Sequence, residues 1–114
     1  MNVLDPETIA SLKALDEGDG FFAEMVETFL SNARSTLERL CATQSANDIK
    51  ELERAAHKLR GAASTVGAQS LMKLCEELER AAQQGDIPDA AARVAAIKAA
   101  FQEVVVALEA ERQA

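Results

Sequence analysis

Residues 55–68 read AAHKLRGAASTVGA and contain the chain's only histidine, His57. Ala55, Ala56, Leu59, Ala62, Ala63 and Val66, with Leu52 ahead of them, recur at three- and four-residue steps, the spacing of one buried helix stripe. Gly67 then interrupts the pattern. Successive helical residues turn by about 100°, so His57 lies roughly 160° from Leu59, on the outer side. Its neighbours on that face are Arg60, Gly61 and Ser64, with Glu53 and Arg54 one turn earlier. Each of these is polar or very small. The imidazole is displayed, not packed.

The rest of the chain follows the same period. Asp5-Pro6-Glu7 is a helix start, with a capping carboxylate, a first-turn proline and an acid near the positive dipole end. A short helix carrying Ile9, Leu12 and Leu15 is predicted to end near Gly18, and Gly18-Asp19-Gly20 to stop it and cap the next. That next helix, of about five turns, takes Phe22, Met25, Val26, Phe29, Ala33, Leu37 and Leu40 inward. The polar segment TQSAND, residues 43–48, is read as a break. After the histidine helix come one with Leu71, Leu74, Cys75, Leu78 and Ala82, ending at Gly85, and one starting at Asp86–Asp89 with Val94, Ile97, Phe101, Val104, Val105 and Leu108. The expectation is an all-α fold in a single domain over residues 1–114. Four helices form an antiparallel bundle and the short N-terminal helix caps one end.

Composition narrows the function. The chain has 48% apolar residues, enough for a core, and no Trp or Tyr. A net charge of −7 argues against nucleic acid, whose affinity comes mainly from phosphate neutralisation. No apolar run of about 18 residues exists to span a membrane, and MNVLDPETIA lacks the marks of a secretory signal. A cytoplasmic location follows as the expectation, with Cys41 and Cys75 reduced. They fall on or beside apolar stripes, as small core residues do. One histidine and two distant cysteines make no zinc site of familiar spacing, so no metal is expected. Neither a phosphate loop nor a Ser–His–acid order can be defended.

Charge and shape instead single out the histidine. Of the 12 Lys and Arg, four (Arg54, Lys58, Arg60 and Lys73) lie between Arg54 and Cys75, a stretch with no acid in a chain that carries 19. Cations beside an imidazole favour its neutral, nucleophilic form and attract anions; a solvated basic face is the plainer alternative. Gly61 costs an exposed helix about 1 kcal/mol relative to alanine. It either leaves room for an approaching molecule or lets two helices pack closely. If the chain turns back near Gly67-Ala68, reflection about position 68 brings Glu79 beside His57. There its carboxylate could accept the Nδ1–H and leave Nε2 exposed, or Glu79 is one more surface acid of CEELER.

Ala56-His57-Lys58-Leu59-Arg60-Gly61-Ala62-Ala63, continuing through Val66-Gly67-Ala68, closely resembles the motif of histidine-containing phosphotransfer (HPt) domains of multistep phosphorelays. The resemblance extends along nearly the whole chain in helix order and length. It implies that His57 is the phosphoacceptor and that Arg60 fills a basic position where lysine is more usual. It also implies that Gly61 is the small residue of the motif and that Glu79 matches a position, Gln or Glu in the family, that holds the ring. Lys58 stands at a variable position, and Ser64 lies one turn beyond Gly61. The implied activity is transfer of a phosphoryl group from one receiver-domain aspartate to His57 and on to another. The implied partners are receiver domains of response regulators and of a hybrid sensor histidine kinase. No cofactor of its own is implied; the receiver would supply an acidic pocket and Mg²⁺. Such a chain acts as a monomer and is neither a self-contained enzyme nor an ATP-dependent kinase.

Two rival readings keep the bundle without the chemistry: an adaptor that binds receiver domains, and a structural bundle using His57 as a pH switch. An adaptor has no need of an imidazole, a glycine and cations on one face. For docking, Arg54 and Phe21 are the candidates. Phe21 sits at the edge of its helix's apolar stripe, either beside the histidine face as an anchor or packed beneath the short first helix.

Overall fold

The structure, a computed structural model, describes residues 3–113. Five helices follow in order: α1 (Pro6–Ala14), α2 (Phe21–Ser45), α3 (Ile49–Thr65), α4 (Gln69–Gln83) and α5 (Ala90–Gln113). No strand occurs among the described residues. Each of the four long helices packs on two others, in the ring α2–α3–α4–α5. The three-residue connections after α2 and α3 leave the chain no course but to reverse direction.

One apolar core runs through the ring. Val26, Ala33 and Leu40 of α2, Ala56, Leu59 and Ala63 of α3, Leu71, Cys75 and Leu78 of α4, and Ile97, Val104 and Leu108 of α5 are all buried. The stripes are narrower than the sequence pattern suggests, since Met25, Leu37, Ala62, Leu74 and Val105 are only partly buried against this core. Alanines at the α3 interface bring α3 close to its neighbours, which is what lets a side chain on α4 reach one on α3.

α1 lies across one end, as expected. The Asp5 amide donates to the Gly67 carbonyl at 2.9 Å, tying the start of α1 to the α3–α4 turn. Lys13 bonds Glu111 near the end of α5 at 2.6 Å, and its ammonium sits 5.5 Å from the centre of the Phe22 ring. The Asp5 cap accepts from the Glu7 amide at 3.4 Å and the Thr8 hydroxyl at 2.8 Å.

Three boundaries differ from the sequence reading. α1 ends at Ala14, before Gly18, and Leu15 stands 62% exposed instead of joining the buried face. α2 is capped by Asp16, not Asp19 alone: Asp16 accepts from the Gly18 amide at 2.8 Å and the Phe22 amide at 3.0 Å, while Asp19 accepts from Phe21 at 3.2 Å. α2 also continues through Thr43–Ser45, 25 residues in all, where a break was expected. The Thr43 hydroxyl donates to the Leu40 carbonyl at 2.9 Å, so the polar side chain is satisfied within the helix rather than against it. The chain turns only at Asn47, where φ is 57°, and the Asp48 side chain caps α3 through the Glu51 amide.

Candidate functional site

α3 presents His57, Arg60, Gly61 and Ser64 on its outward strip, and α4 supplies Glu79 from across the hairpin. The His57 side chain is 64% exposed, and its Nδ1 lies 2.7 Å from Glu79 Oε2. Glu79 is buried, one of two buried polar residues among those described. It therefore belongs to the α3–α4 seam and is not a surface acid. An imidazole nitrogen facing a carboxylate, which can only accept, must carry the proton. With the proton on Nδ1, the Nε2 lone pair is turned outward to solvent.

Arg60 completes the cluster in a way the sequence did not suggest. Its Nε is 3.1 Å from Glu79 Oε1, and its Nη2 is 3.1 Å from His57 Nδ1. The Nε is buried yet makes no hydrogen bond, so its approach to Oε1 is an ion pair without alignment. The guanidinium, read from the sequence as one of the cations that attract an anion beside the ring, is engaged with the carboxylate behind it. Only the three-dimensional crossing of α3 and α4 reveals this, because Arg60 and Glu79 are nineteen positions apart in sequence.

Gly61 is exposed, and a Cβ built on it would meet nothing within 4 Å. Helix packing therefore does not require it; the space beside the ring is open. One turn on, the Ser64 hydroxyl donates to the Gly61 carbonyl at 2.7 Å. Lys58 is exposed and forms no ion pair among the described residues, while Arg54 is paired with Glu51 at 2.6 Å. Both line a shallow depression of about 270 Å³ between α2 and α3, together with Arg39, a third cation the sequence reading passed over. It lies on the preceding helix, outside the acid-free stretch.

Phe21 is 39% exposed, so it is not packed beneath α1. It lines an apolar groove of about 560 Å³ with Leu12 of α1, Met25 and Phe29 of α2, and Ala62 and Thr65 of α3. Thr65 stands eight residues beyond His57, about 12 Å along the same helix and turned by about 80°. The groove and the ring thus border one continuous face. The half-buried Met25 and Ala62 are the signal for it, two apolar positions assigned to a core that does not fully cover them.

An outward imidazole thus stands against a buried carboxylate, on the third helix of a capped bundle. The Hpt domain family model matches residues 24–107, most of the chain, with His57, Arg60, Gly61 and Glu79 inside the match. The chain belongs to the Hpt domain family. Its relatives include Phosphorelay protein LuxU of Vibrio vulnificus strains YJ016 and CMCP6, 30% identical over 89 residues, which cover 78% of this chain and 76% of the relative. Histidine-containing phosphotransfer protein B (HptB) of Pseudomonas aeruginosa PAO1 superposes with a TM-score of 0.89 at 31% identity, covering 97% of this chain and 95% of that one. The maize phosphotransfer protein ZmHP2 shares the fold at 23% identity, with a TM-score of 0.85 over 97% of this chain and 83% of its own. As an Hpt domain the chain is a phosphorelay intermediate of multistep two-component signalling, in a family that exchanges phosphoryl groups with receiver domains. Among the described residues no helix is long and apolar enough to cross a membrane.

Proposed function

We propose that Nε2 of His57 is the phosphoacceptor of this Hpt domain. The observation that carries the reading is the 2.7 Å contact from Nδ1 to the buried Glu79 carboxylate behind an exposed ring. A receiver aspartyl phosphate meets the outward lone pair in line. The Nε2–P bond forms as the P–O bond to the aspartate breaks, and the bonding pair leaves with the carboxylate. The ring ends positively charged with Nδ1–H still in place, facing Glu79. No proton has to move. Reversal onto a second receiver's aspartate releases the group by the same path.

Phosphoryl transfer depends on alignment and charge neutralisation more than on covalent machinery in the protein. In this reading Glu79 and Arg60 hold the ring, and Gly61 gives the partner's backbone room. Lys58 and Arg54, with Arg39, draw an acidic partner surface toward it. Mg²⁺ belongs to the receiver's acidic pocket. The apolar groove around Phe21 supplies the buried part of the docking surface. The chain acts as a monomer, every part of the site coming from one copy. The exchange takes place in the cytoplasm, where the free thiols of Cys41 and Cys75 suit reducing conditions. The partners are receiver domains of a hybrid sensor kinase and of response regulators.

Incubation with a phosphorylated receiver domain and, separately, with phosphoramidate tests the assignment. Acid-labile, base-stable phosphate should appear on the wild type and be absent from His57→Gln, with helicity and Tm nearly unchanged, because the exposed ring contributes little packing and the glutamine amide can donate to Glu79 in its place. If the wild type takes up no phosphate from either donor and still binds receivers, the chain is an adaptor instead.

A further inference from the structure

We infer that Arg60 and Glu79 compete for the same nitrogen of His57, and that the outcome decides whether the outer nitrogen is a nucleophile. The inference deepens the assignment of His57 as phosphoacceptor and rests on it for its consequence in transfer.

Nδ1 of His57 has two partners of opposite kind: Glu79 Oε2 at 2.7 Å and Arg60 Nη2 at 3.1 Å. A carboxylate only accepts and a guanidinium only donates. The nitrogen can satisfy one of them. When it carries the proton it donates to Glu79, and Nε2 keeps a free lone pair. When it is bare it accepts from Arg60, and the proton sits on Nε2, which then cannot attack phosphorus. The two arrangements exclude each other.

Burial decides between them. Glu79 is buried, and giving up the ring would leave Oε2 without a partner away from water, a costly state for an ionised group. The Arg60 side chain is 37% exposed and can turn unused N–H groups to solvent. Glu79 therefore holds the ring, and Arg60 answers the carboxylate through the unaligned pair between its Nε and Oε1 at 3.1 Å. Arg60 is a positioning residue that acts through Glu79. Its effect is conditional: with the carboxylate present it neutralises a buried charge, and with the carboxylate gone it captures the ring in the wrong tautomer. An arginine can do both because its N–H groups point in different directions; a lysine ammonium in its place is a single centre.

The competition makes a double-mutant cycle strongly non-additive, in a sense that a purely structural pair would not show. The test measures ¹⁵N shifts of the His57 ring, which report the tautomer, and initial rates of phosphoryl uptake from phosphoramidate. Wild type should be mainly Nδ1–H. Glu79→Ala should move the ring to Nε2–H and slow uptake about a hundredfold, whereas Arg60→Ala should keep the tautomer and slow it less than about tenfold. The double variant should recover at least about tenfold over Glu79→Ala, because the freed ring samples both tautomers. A double variant no faster than Glu79→Ala, or a Glu79→Ala ring still mainly Nδ1–H, overturns the inference. Should Glu79→Ala lose its helical circular dichroism, Glu79→Met, which keeps the volume, replaces it in both arms. If the wild type takes up no phosphate at all, the phosphoacceptor assignment fails, and the tautomer shifts still decide whether the two side chains compete.

Discussion

Gly67 and Asp5 touch at the capped end of the bundle: a Cβ built on Gly67 would come within 2.7 Å of Asp5 Cβ, and within 3.0 Å of Thr8 Cβ. The glycine also holds φ at 67°, a conformation that costs other residues about 1–2 kcal/mol. Gly67→Ala must bear that cost and push α1 away from the turn as well. We expect a loss of at least about 2 kcal/mol in urea denaturation, with phosphoryl uptake per folded molecule unchanged. A loss below about 0.5 kcal/mol would show that α1 moves aside freely.

Gly61 should behave in the opposite way. It lies within a helix, with open space where a side chain would go. Gly61→Gln should leave the fold as stable or more stable by a few tenths of a kcal/mol. It should slow transfer from a phosphorylated receiver at least about tenfold by obstructing the docked surface, and leave uptake from phosphoramidate, a small donor, close to normal. Undiminished transfer from the receiver removes the steric argument.

Phe21 tests the docking groove. Because the ring is partly exposed and borders a groove and not the core, Phe21→Ala should weaken receiver binding by more than about 1 kcal/mol while stability falls by less than that. The contrary result, about 3 kcal/mol of folding stability lost with binding intact, would return Phe21 to a packing role.

What could be read from the chain alone follows from how local each feature is. The outward direction of His57 is a property of one helix and its 100° step, and the placement of Glu79 needs only the position of one turn. Both were legible. The contacts of Arg60 were not, because they depend on the distance between α3 and α4, which side-chain size at the seam decides. The continuation of α2 through Thr43 was missed for a different reason: a hydroxyl that bonds its own helix looks, in sequence, like one that ends it. Thr36 shows the same thing, buried in α2 with its hydroxyl on the Asn32 carbonyl at 3.0 Å.

Asp16 gives the fold an acid-sensitive point. Hydrogen bonds from the Phe22 and Gly18 amides hold its carboxyl below the usual carboxylate range. A group whose pKa is lower in the folded than in the unfolded state stabilises the fold above its unfolded pKa, and that contribution disappears as the pH falls through the folded value. Asp16→Ala should therefore lower the urea midpoint at pH 7, and the gap to wild type should close on acidification. A gap that does not narrow as the pH falls through and below the usual carboxylate range would mean the carboxylate is not the cause.

Cys75 does the reverse at alkaline pH. Burial pushes its thiol up to about 12. The folded chain keeps it protonated where the unfolded chain ionises, so stability is complete below the ordinary thiol range and declines as the pH rises toward that value. Alkylation of the native protein near pH 8 should modify the half-buried Cys41 before Cys75, whose reaction should wait for unfolding. Equal rates would contradict the burial argument.

The three-residue turn at Val66–Ala68 sets the phase of α4 against α3. Surface turns usually absorb insertions and deletions at little cost, but this one has no such latitude. One added residue would force α4 either to rotate by about 100°, carrying Leu71, Cys75, Leu78 and Glu79 off the core and the seam together, or to keep its apolar stripe inward and slip along the seam, moving Glu79 away from His57. The six-residue connection between α4 and α5 carries nothing of the site. Length variation acquired over a lineage should collect there, while the turn beside the histidine hairpin keeps its count.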